Sequence, residues 1–273
     1  MNEELLVLKL DESHGNMIKK REFANYSALK LIDLPKGIEI IEDYAFYRCL
    51  ALEEIHLYAG IKRLGCGAFM GCKKLKKIVI KDVEDDIYFL TEILYDFQYE
   101  VEVEIYYKNG EFVKLTFPEY FEESVENTPA RIIEIVFHGS GYKYRQCIRN
   151  RQLDFEKYDS RFVYSIAQDF APTSIRVAMN RLATPKGLKE DAKKKYLEYL
   201  QEQVTEVAKQ ICREDDMESL TVLAENEYFT EELLSEFQNK AANFGRAEMA
   251  SYLLNYGLEH FKPKKKTFDF DEF

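Results

Sequence analysis

"EDYAFYRCLALEEIHL", residues 42–57, and "GCGAFMGCKKLKKIVI", residues 65–80, carry one pattern twice: Ala-Phe-x-x-Cys-x-x-Leu-x-x-Ile-x-hydrophobic. Phe46 recurs as Phe69, Cys49 as Cys72 and Ile55 as Ile78, all at one spacing. A fixed period of this length marks one supersecondary unit repeated, and it governs the fold before any local propensity does. Sliding back one more period uncovers a degenerate third copy. The matched columns are Ile18/Ile41/Leu64, Phe23/Phe46/Phe69, Leu29/Leu52/Leu75, Ile32/Ile55/Ile78 and Leu34/Leu57/Ile80, with Tyr26 where Cys49 and Cys72 stand later. In "LEEIHL" and "LKKIVI" apolar residues alternate with others, as the two faces of a strand require. The Phe and Cys columns then fill the space between successive coils. One coil cannot bury its own apolar face, so the copies must stack.

These residues resemble the BspA-type (Treponema pallidum type) leucine-rich repeat. Ile41, Ala45, Phe46, Cys49, Leu52 and Ile55 match its pattern column by column, and Leu64, Ala68, Phe69, Cys72, Leu75 and Ile78 match it again. The first copy departs from it, with Glu22 for Ala and Tyr26 for Cys, as suits a terminal coil. The resemblance spans roughly residues 15–81 and implies a β-solenoid whose repeat core is Phe46, Cys49, Leu52, Ile55, Phe69, Cys72, Leu75 and Ile78.

Three coils need capped ends. "LLVLKL", residues 5–10, supplies a candidate first strand. Beyond Lys81, Ile87, Leu90, Leu94 and Phe97 fall at helical spacing. "VEVEIYYKNGEFVKLTF" alternates, turns at Asn109-Gly110 and alternates again, which predicts a hairpin with both turn residues at positive φ. From about Thr128 the period shifts towards helix. Ile175, Ala178, Met179 and Leu182 form one stripe between Pro172 and Pro185. A helix is expected from Leu188 to Cys212, with Leu197, Leu200, Val204, Val207, Ala208 and Ile211 on one face. Thr230 reads as the N-cap of another, which Gly245 ends. "GRAEMASYLLNYG" then reads as a helix closing at Gly257. Its Glu248, Ser251 and Leu253 echo the earlier Glu218, Thr221 and Leu223 at one constant spacing, and are similar to the second helix of ankyrin repeats. The Thr-Pro-Leu-His signature of the first ankyrin helix is absent. The combination resembles proteins of gut Firmicutes that carry no established activity. The expected fold is therefore α+β: a leucine-rich-repeat solenoid with capping helix and hairpin at 1–127, an ankyrin-like helical array at 128–260, and a charged tail at 261–273.

Composition narrows the function. The chain has 273 residues, 46% of them hydrophobic, enough to bury a large core. Its net charge of −11 argues against a general nucleic-acid binder, since phosphate demands a basic face. Residues 82–130 hold 14 Asp/Glu against 2 Lys/Arg, which reads first as a solvated helix and hairpin and otherwise as a band suited to a basic partner protein. No apolar run reaches the length of a membrane span, and "MNEELLVLKLDESHG" is not a signal peptide. Five cysteines with no C-x-x-C pair read as reduced thiols in a cytoplasm.

One segment carries open chemistry. In "FHGSGYKYRQCIRNR", residues 137–151, two glycines flank Ser140, and Lys143, Arg145 and Arg149 follow. Glycine admits close backbone approach, and exposed amides with arginine can hold an anion, so Ser140, Lys143, Arg145 and Arg149 form a candidate anion site. The spacing is neither a nucleophile elbow nor a phosphate-binding loop. The opposing reading is a segment packed between domains, which the interleaved Tyr142, Tyr144 and Cys147 favour. The histidines, His14, His56, His138 and His260, lack metal spacing, so neither metal nor cofactor is expected. In the tail, Phe268, Phe270 and Phe273 either stay solvated or dock into a groove. The function expected is a non-enzymatic protein–protein interaction scaffold. An anion- or nucleotide-responsive protein or enzyme using the 137–151 loop, and a cell-surface adhesin, are the alternatives.

Overall fold

In the computed structural model, which describes residues 6–127 and 132–261, the repeat period is the step between neighbouring strands. The first seven are β1 (Val7–Lys9), β2 (Met17–Ile18), β3 (Leu31–Asp33), β4 (Ile40–Ile41), β5 (Glu54–Tyr58), β6 (Arg63–Leu64) and β7 (Lys77–Val83). Each coil contributes a strand to two sheets. β2, β4 and β6 pair in parallel, with Ile18, Ile41 and Leu64 in register. β1, β3, β5 and β7 form the other ladder, with Ile32, Ile55 and Ile78 in register. The result is an N-terminal β-solenoid of about four turns, and Val7–Lys9, inside the expected segment, supply its first strand.

The interior is built from the repeated columns. The rings of Phe23, Phe46 and Phe69 stack nearly parallel at 5.4 and 5.3 Å. Phe46, Cys49, Leu52, Ile55, Phe69, Cys72, Leu75 and Ile78 are all buried. Each cysteine also reaches back one coil: Cys49 Sγ donates to the Phe23 carbonyl at 3.2 Å, and Cys72 Sγ to the Phe46 carbonyl at 3.3 Å. A small side chain with a weak donor fits there; a larger one would part the coils.

Next come α1 (Tyr88–Tyr95), β8 (Val101–Tyr107) and β9 (Phe112–Phe117). β8 adds to β7 in parallel, so the main sheet runs β1-β3-β5-β7-β8-β9, with β9 antiparallel at the edge. Ile87, Leu90, Leu94 and Phe97 are buried, as their spacing predicts. The β8–β9 turn differs from expectation: Gly110 has φ +87°, but Asn109 does not turn positive. The Gly110 N–H donates to the Tyr107 carbonyl and the Tyr107 N–H to the Glu111 carbonyl. This is the longer hairpin loop, in which one glycine at positive φ suffices.

The chain from Thr128 does not turn directly to helix. β10 (Phe121–Asn127) and β11 (Ile132–His138) form a separate antiparallel pair. A boundary at 127/128 would cut between them. After α2 (Gly141–Arg145), β12 (Ile148–Arg149), β13 (Gln152–Leu153), α3 (Phe155–Ser160) and α4 (Phe162–Gln168) comes α5 (Ala171–Ala183), which packs against β9. Asn180 Nδ2 donates to Thr116 Oγ1 at 2.9 Å and to Glu102 Oε2 at 3.3 Å. Tyr158 donates its hydroxyl to the Thr116 carbonyl at 2.5 Å. Arg181, fully buried, pairs with Asp159 at 2.7 and 3.0 Å. The bonds of Asn180 and Tyr158 tie α5 and α3 to β8 and β9, the Arg181–Asp159 pair ties α5 to α3, and the chain divides into two compact units, Met1–Lys193 and Lys194–Phe273.

The expected helix from Leu188 to Cys212 is two helices, α6 (Glu190–Glu202) and α7 (Val204–Glu214). Gln203 sits at φ −101°, ψ 20°, and both the Glu206 and Val207 N–H groups turn to its carbonyl. No glycine or proline announces this break. In the second unit α7 packs with α8 (Met217–Glu225) and α9 (Glu231–Asn243), and α9 with α10 (Ala247–His260). Tyr228, Phe229 and Phe237 meet edge to face at its core. Thr230 caps α9 by accepting from the Leu233 N–H. Gly257 lies inside α10 instead of closing it. A Cβ there would come within 2.9 Å of Leu234 Cδ2, so this glycine answers to close helix packing. Of the expected tail, residues 262–273, with Phe268, Phe270 and Phe273, lie outside the described residues.

Candidate interaction surface

Alternation along the main sheet puts Ile32, Ile55 and Ile78 inward, so their neighbours face out. One outward row across the strands is Asp33, His56, Val79, Glu104, Lys114, and the adjacent row runs from Leu31 through Glu54, Lys77 and Glu102 to Thr116. The charges interlock. Lys77 Nζ lies 2.9 Å from Glu104 and 3.8 Å from Glu54. His56 faces Glu54 at 2.7 Å and Asp33 at 3.6 Å, while Lys81 lies 3.7 Å from Asp33. Partial burial works against the Lys77 charge, yet Glu104 and Glu54 outweigh it and raise its pKa. Aromatics interrupt the lattice: the Lys81 ammonium sits over the Tyr58 ring, and Tyr106 packs on Phe112 at 4.7 Å. α5 stands on this face at β9, with Asn180 bonded to Glu102. Val79, Glu104 and Thr116 are buried on this face, so what it offers to solvent is the partly exposed Asp33, Glu54, His56, Lys77 and Lys81 with the rings of Tyr58 and Tyr106.

Repeat columns alone do not reveal this surface. The outward residues of successive coils differ, and their pairing follows from register. The signal in the sequence was the alternation itself, which marks every second residue of β3, β5 and β7 as outward.

The four residues of the candidate anion site do not converge. Ser140 is fully buried, and its N–H and Oγ donate to the two oxygens of Asp169 at 2.9 and 2.5 Å. An anion at Ser140 would meet that carboxylate. Arg145 is 1% exposed and donates to four backbone carbonyls: Leu94 at 3.0 Å, Pro118 at 2.6 Å, Tyr99 at 2.9 Å and Phe97 at 3.5 Å. Burial pushes its pKa down to about 10. Lys143 lies over the Tyr164 ring, and Arg149 is exposed on β12. The glycines have a packing reason. A Cβ on Gly141 would come within 2.1 Å of the Pro118 carbonyl oxygen, and one on Gly139 within 2.6 Å of the Glu119 carbonyl oxygen. The Gly-Ser-Gly step is the price of laying this loop against residues 118–119.

The histidines are dispersed, His138 pairing with Glu123 at 2.8 Å and His14 with Glu22 at 3.4 Å. Among the described residues no group of three or more His, Cys, Asp or Glu is placed to hold a metal ion. No described helix is long and apolar enough to cross a membrane. All five cysteines are free thiols, Cys66 exposed and the others buried.

Residues 9–91 match the family described as BspA type Leucine rich repeat region (6 copies). The match runs from the last residue of β1 through the rest of the solenoid to the start of α1. No curated protein matches the chain. No solved structure matches it.

Proposed function

We propose that the chain is a non-enzymatic scaffold that holds a partner protein on the outer face of its leucine-rich-repeat sheet. The carrying observation is the charge lattice of Asp33, Glu54, His56, Lys77 and Lys81, anchored from below by the buried Glu104, fixed on strands and flanked by Tyr58 and Tyr106. Solenoids bind through such extended faces, and complementary charge sets specificity and association rate more than affinity. The excess of 14 acidic over 2 basic residues in the segment 82–130 favours a partner with a basic surface.

The helical unit adds a second extended element, which we read as an ankyrin-like array. The echo between α8 and α10 is supported in the backbone. Asp215 and Gly245 both take positive φ, 58° and 68°, and the next residues, Asp216 and Arg246, have φ/ψ of −85°/84° and −88°/82°. Their N–H groups donate to the Ile211 and Ala241 carbonyls, a pair offset by the same step as Glu218 and Glu248. Five free thiols suit a reducing compartment, and we place the protein in the cytoplasm.

Affinity capture from the cells that make the protein tests this reading. Wild-type chain should retain a protein that the Tyr58→Ala/Lys81→Glu variant loses, and retention should weaken as salt rises. Equal retention by both, or none by wild type, would overturn it.

A further inference from the structure

A cavity of about 410 Å³ opens where the base of the β10–β11 hairpin meets the start of α5. Its wall carries four aromatic side chains, Tyr120, Phe121, Phe137 and Phe170, and two carboxylates, Glu119 and Asp169. Phe170 is 80% exposed and Phe121 58% exposed, so large aromatic faces are left in water at its rim. Exposed aromatic surface gathered at a cavity marks a binding site more often than a packing fault.

The charge of the wall selects the ligand. Among the described residues neither Glu119 nor Asp169 is in an ion pair. Asp169 receives its bonds from Ser140 and Ser165, both neutral donors. Nearby, Arg176 is held by Glu100 at 2.7 Å, and the Arg145 guanidinium is turned to backbone carbonyls. The His138 imidazole, also on the wall, bonds Glu123 at 2.8 Å and stacks on one face of the Phe121 ring at 4.5 Å, leaving the other face to a ligand. An anion would therefore meet two carboxylates and the negative faces of aromatic rings. A cation finds both favourable, because the ring quadrupole and the carboxylate attract the same charge. Tyr120 already takes a guanidinium on its ring, with Arg145 Cζ 4.8 Å from the centroid.

We propose that this cavity binds an organic cation, an ammonium or guanidinium group, between the rings of Phe121 and Phe170 and the carboxylates of Asp169 and Glu119. The site is separate from the solenoid face and independent of the scaffold reading. The cation is either a free small molecule or the end of a lysine or arginine side chain, and the chemistry is shared.

Calorimetric titration of the full chain tests it with four probes: choline, its uncharged isostere 3,3-dimethylbutan-1-ol, butylguanidinium, and blocked tripeptides with one central Lys or Arg. Choline or butylguanidinium should bind where the isostere does not. Phe170→Ala should weaken cation binding by about 2- to 30-fold, the range of a single cation–π contact. Glu119→Gln should weaken it as well. Both side chains are exposed, so neither change should move the melting temperature. Tighter binding of the tripeptides assigns the cation to a polypeptide, and equal or tighter binding of the free probes assigns it to a small molecule. Equal binding of choline and its isostere would reduce the cavity to an apolar cleft and sink the proposal. So would the absence of binding by every cation, or binding untouched in both variants.

Discussion

Asp96 Oδ2 accepts a hydrogen bond from the Phe69 N–H at 2.9 Å. In the coils before, the Phe23 and Phe46 N–H groups donate to the carbonyls of Ala45 and Ala68, each at 2.9 Å. The side chain of Asp96, at the C-terminal end of α1, thus stands where the carbonyl of a further coil would be. A solenoid must satisfy the last row of its ladder, and α1 does so while covering the apolar end.

Burial pushes the Asp96 carboxyl up to about 6, while the Phe69 and Gly67 N–H groups hold it back. A folded pKa above the unfolded value of 3.8 means that folding favours the protonated form. Its stabilising contribution is complete below about pH 4 and lost as pH rises through about 6. Asp96→Asn keeps an acceptor for Phe69 and removes the charge. The variant should flatten the pH dependence of unfolding between pH 4 and 7 by about 1–2 kcal/mol, after discounting for partial exposure. Denaturant titrations at several pH values check this, and an unchanged slope would show that Asp96 titrates normally.

Phe46 lies between Phe23 and Phe69 in the ring stack and is fully buried. Phe46→Ala should cost about 3–5 kcal/mol, the usual range for removing a buried aromatic ring. Phe23→Ala, at the end of the stack, should cost less. Similar losses at both positions would contradict the stacked arrangement.

The thiols give a chemical check. Cys66 is exposed, whereas burial raises the pKa of Cys147 to about 12 and lifts that of Cys212. The neighbouring Cys49 thiol and burial together push Cys72 up. Alkylation of the native protein should label Cys66 quickly and the other four only after unfolding. Mass spectrometry reads the sites directly, and fast labelling of Cys49 or Cys72 would break the column assignment.

The solenoid was legible because repeat columns survive divergence wherever a side chain must meet its copy in the next coil. What lay outside that repetition was harder to read. β8 joins the sheet out of step with the repeat, Lys77 pairing with Glu102 where the period would give Glu100, because α1 replaces the usual coil path. β11 was hidden by exposure: Ile133, Ile135 and Val136 are all in water, so no inward face disciplines the pattern. The break at Gln203 and the helical Gly257 depend on tertiary contacts that local propensity does not encode. In the 137–151 loop the residue types were compatible with an anion or with carbonyl partners, and only the path of residues 94–118 decides between them.

Arg145 supplies the last prediction, because that path runs through it. The guanidinium is buried and serves the carbonyls of Leu94, Pro118 and Tyr99, with the Tyr120 ring against its face. With Phe97 at 3.5 Å the acceptors number four, in different directions; they suit a planar fork, and an ammonium on a flexible stem does not replace it. Arg145→Ala would leave those carbonyls without partners and should cost about 3–5 kcal/mol, with Arg145→Lys recovering part of the loss. Arg149, exposed on β12, should tolerate alanine within about 0.5 kcal/mol. Urea titration of the three variants separates a structural arginine from a ligand-binding one. A stable Arg145→Ala protein, or equal losses at both positions, would show that the buried guanidinium is not what holds this loop to the solenoid.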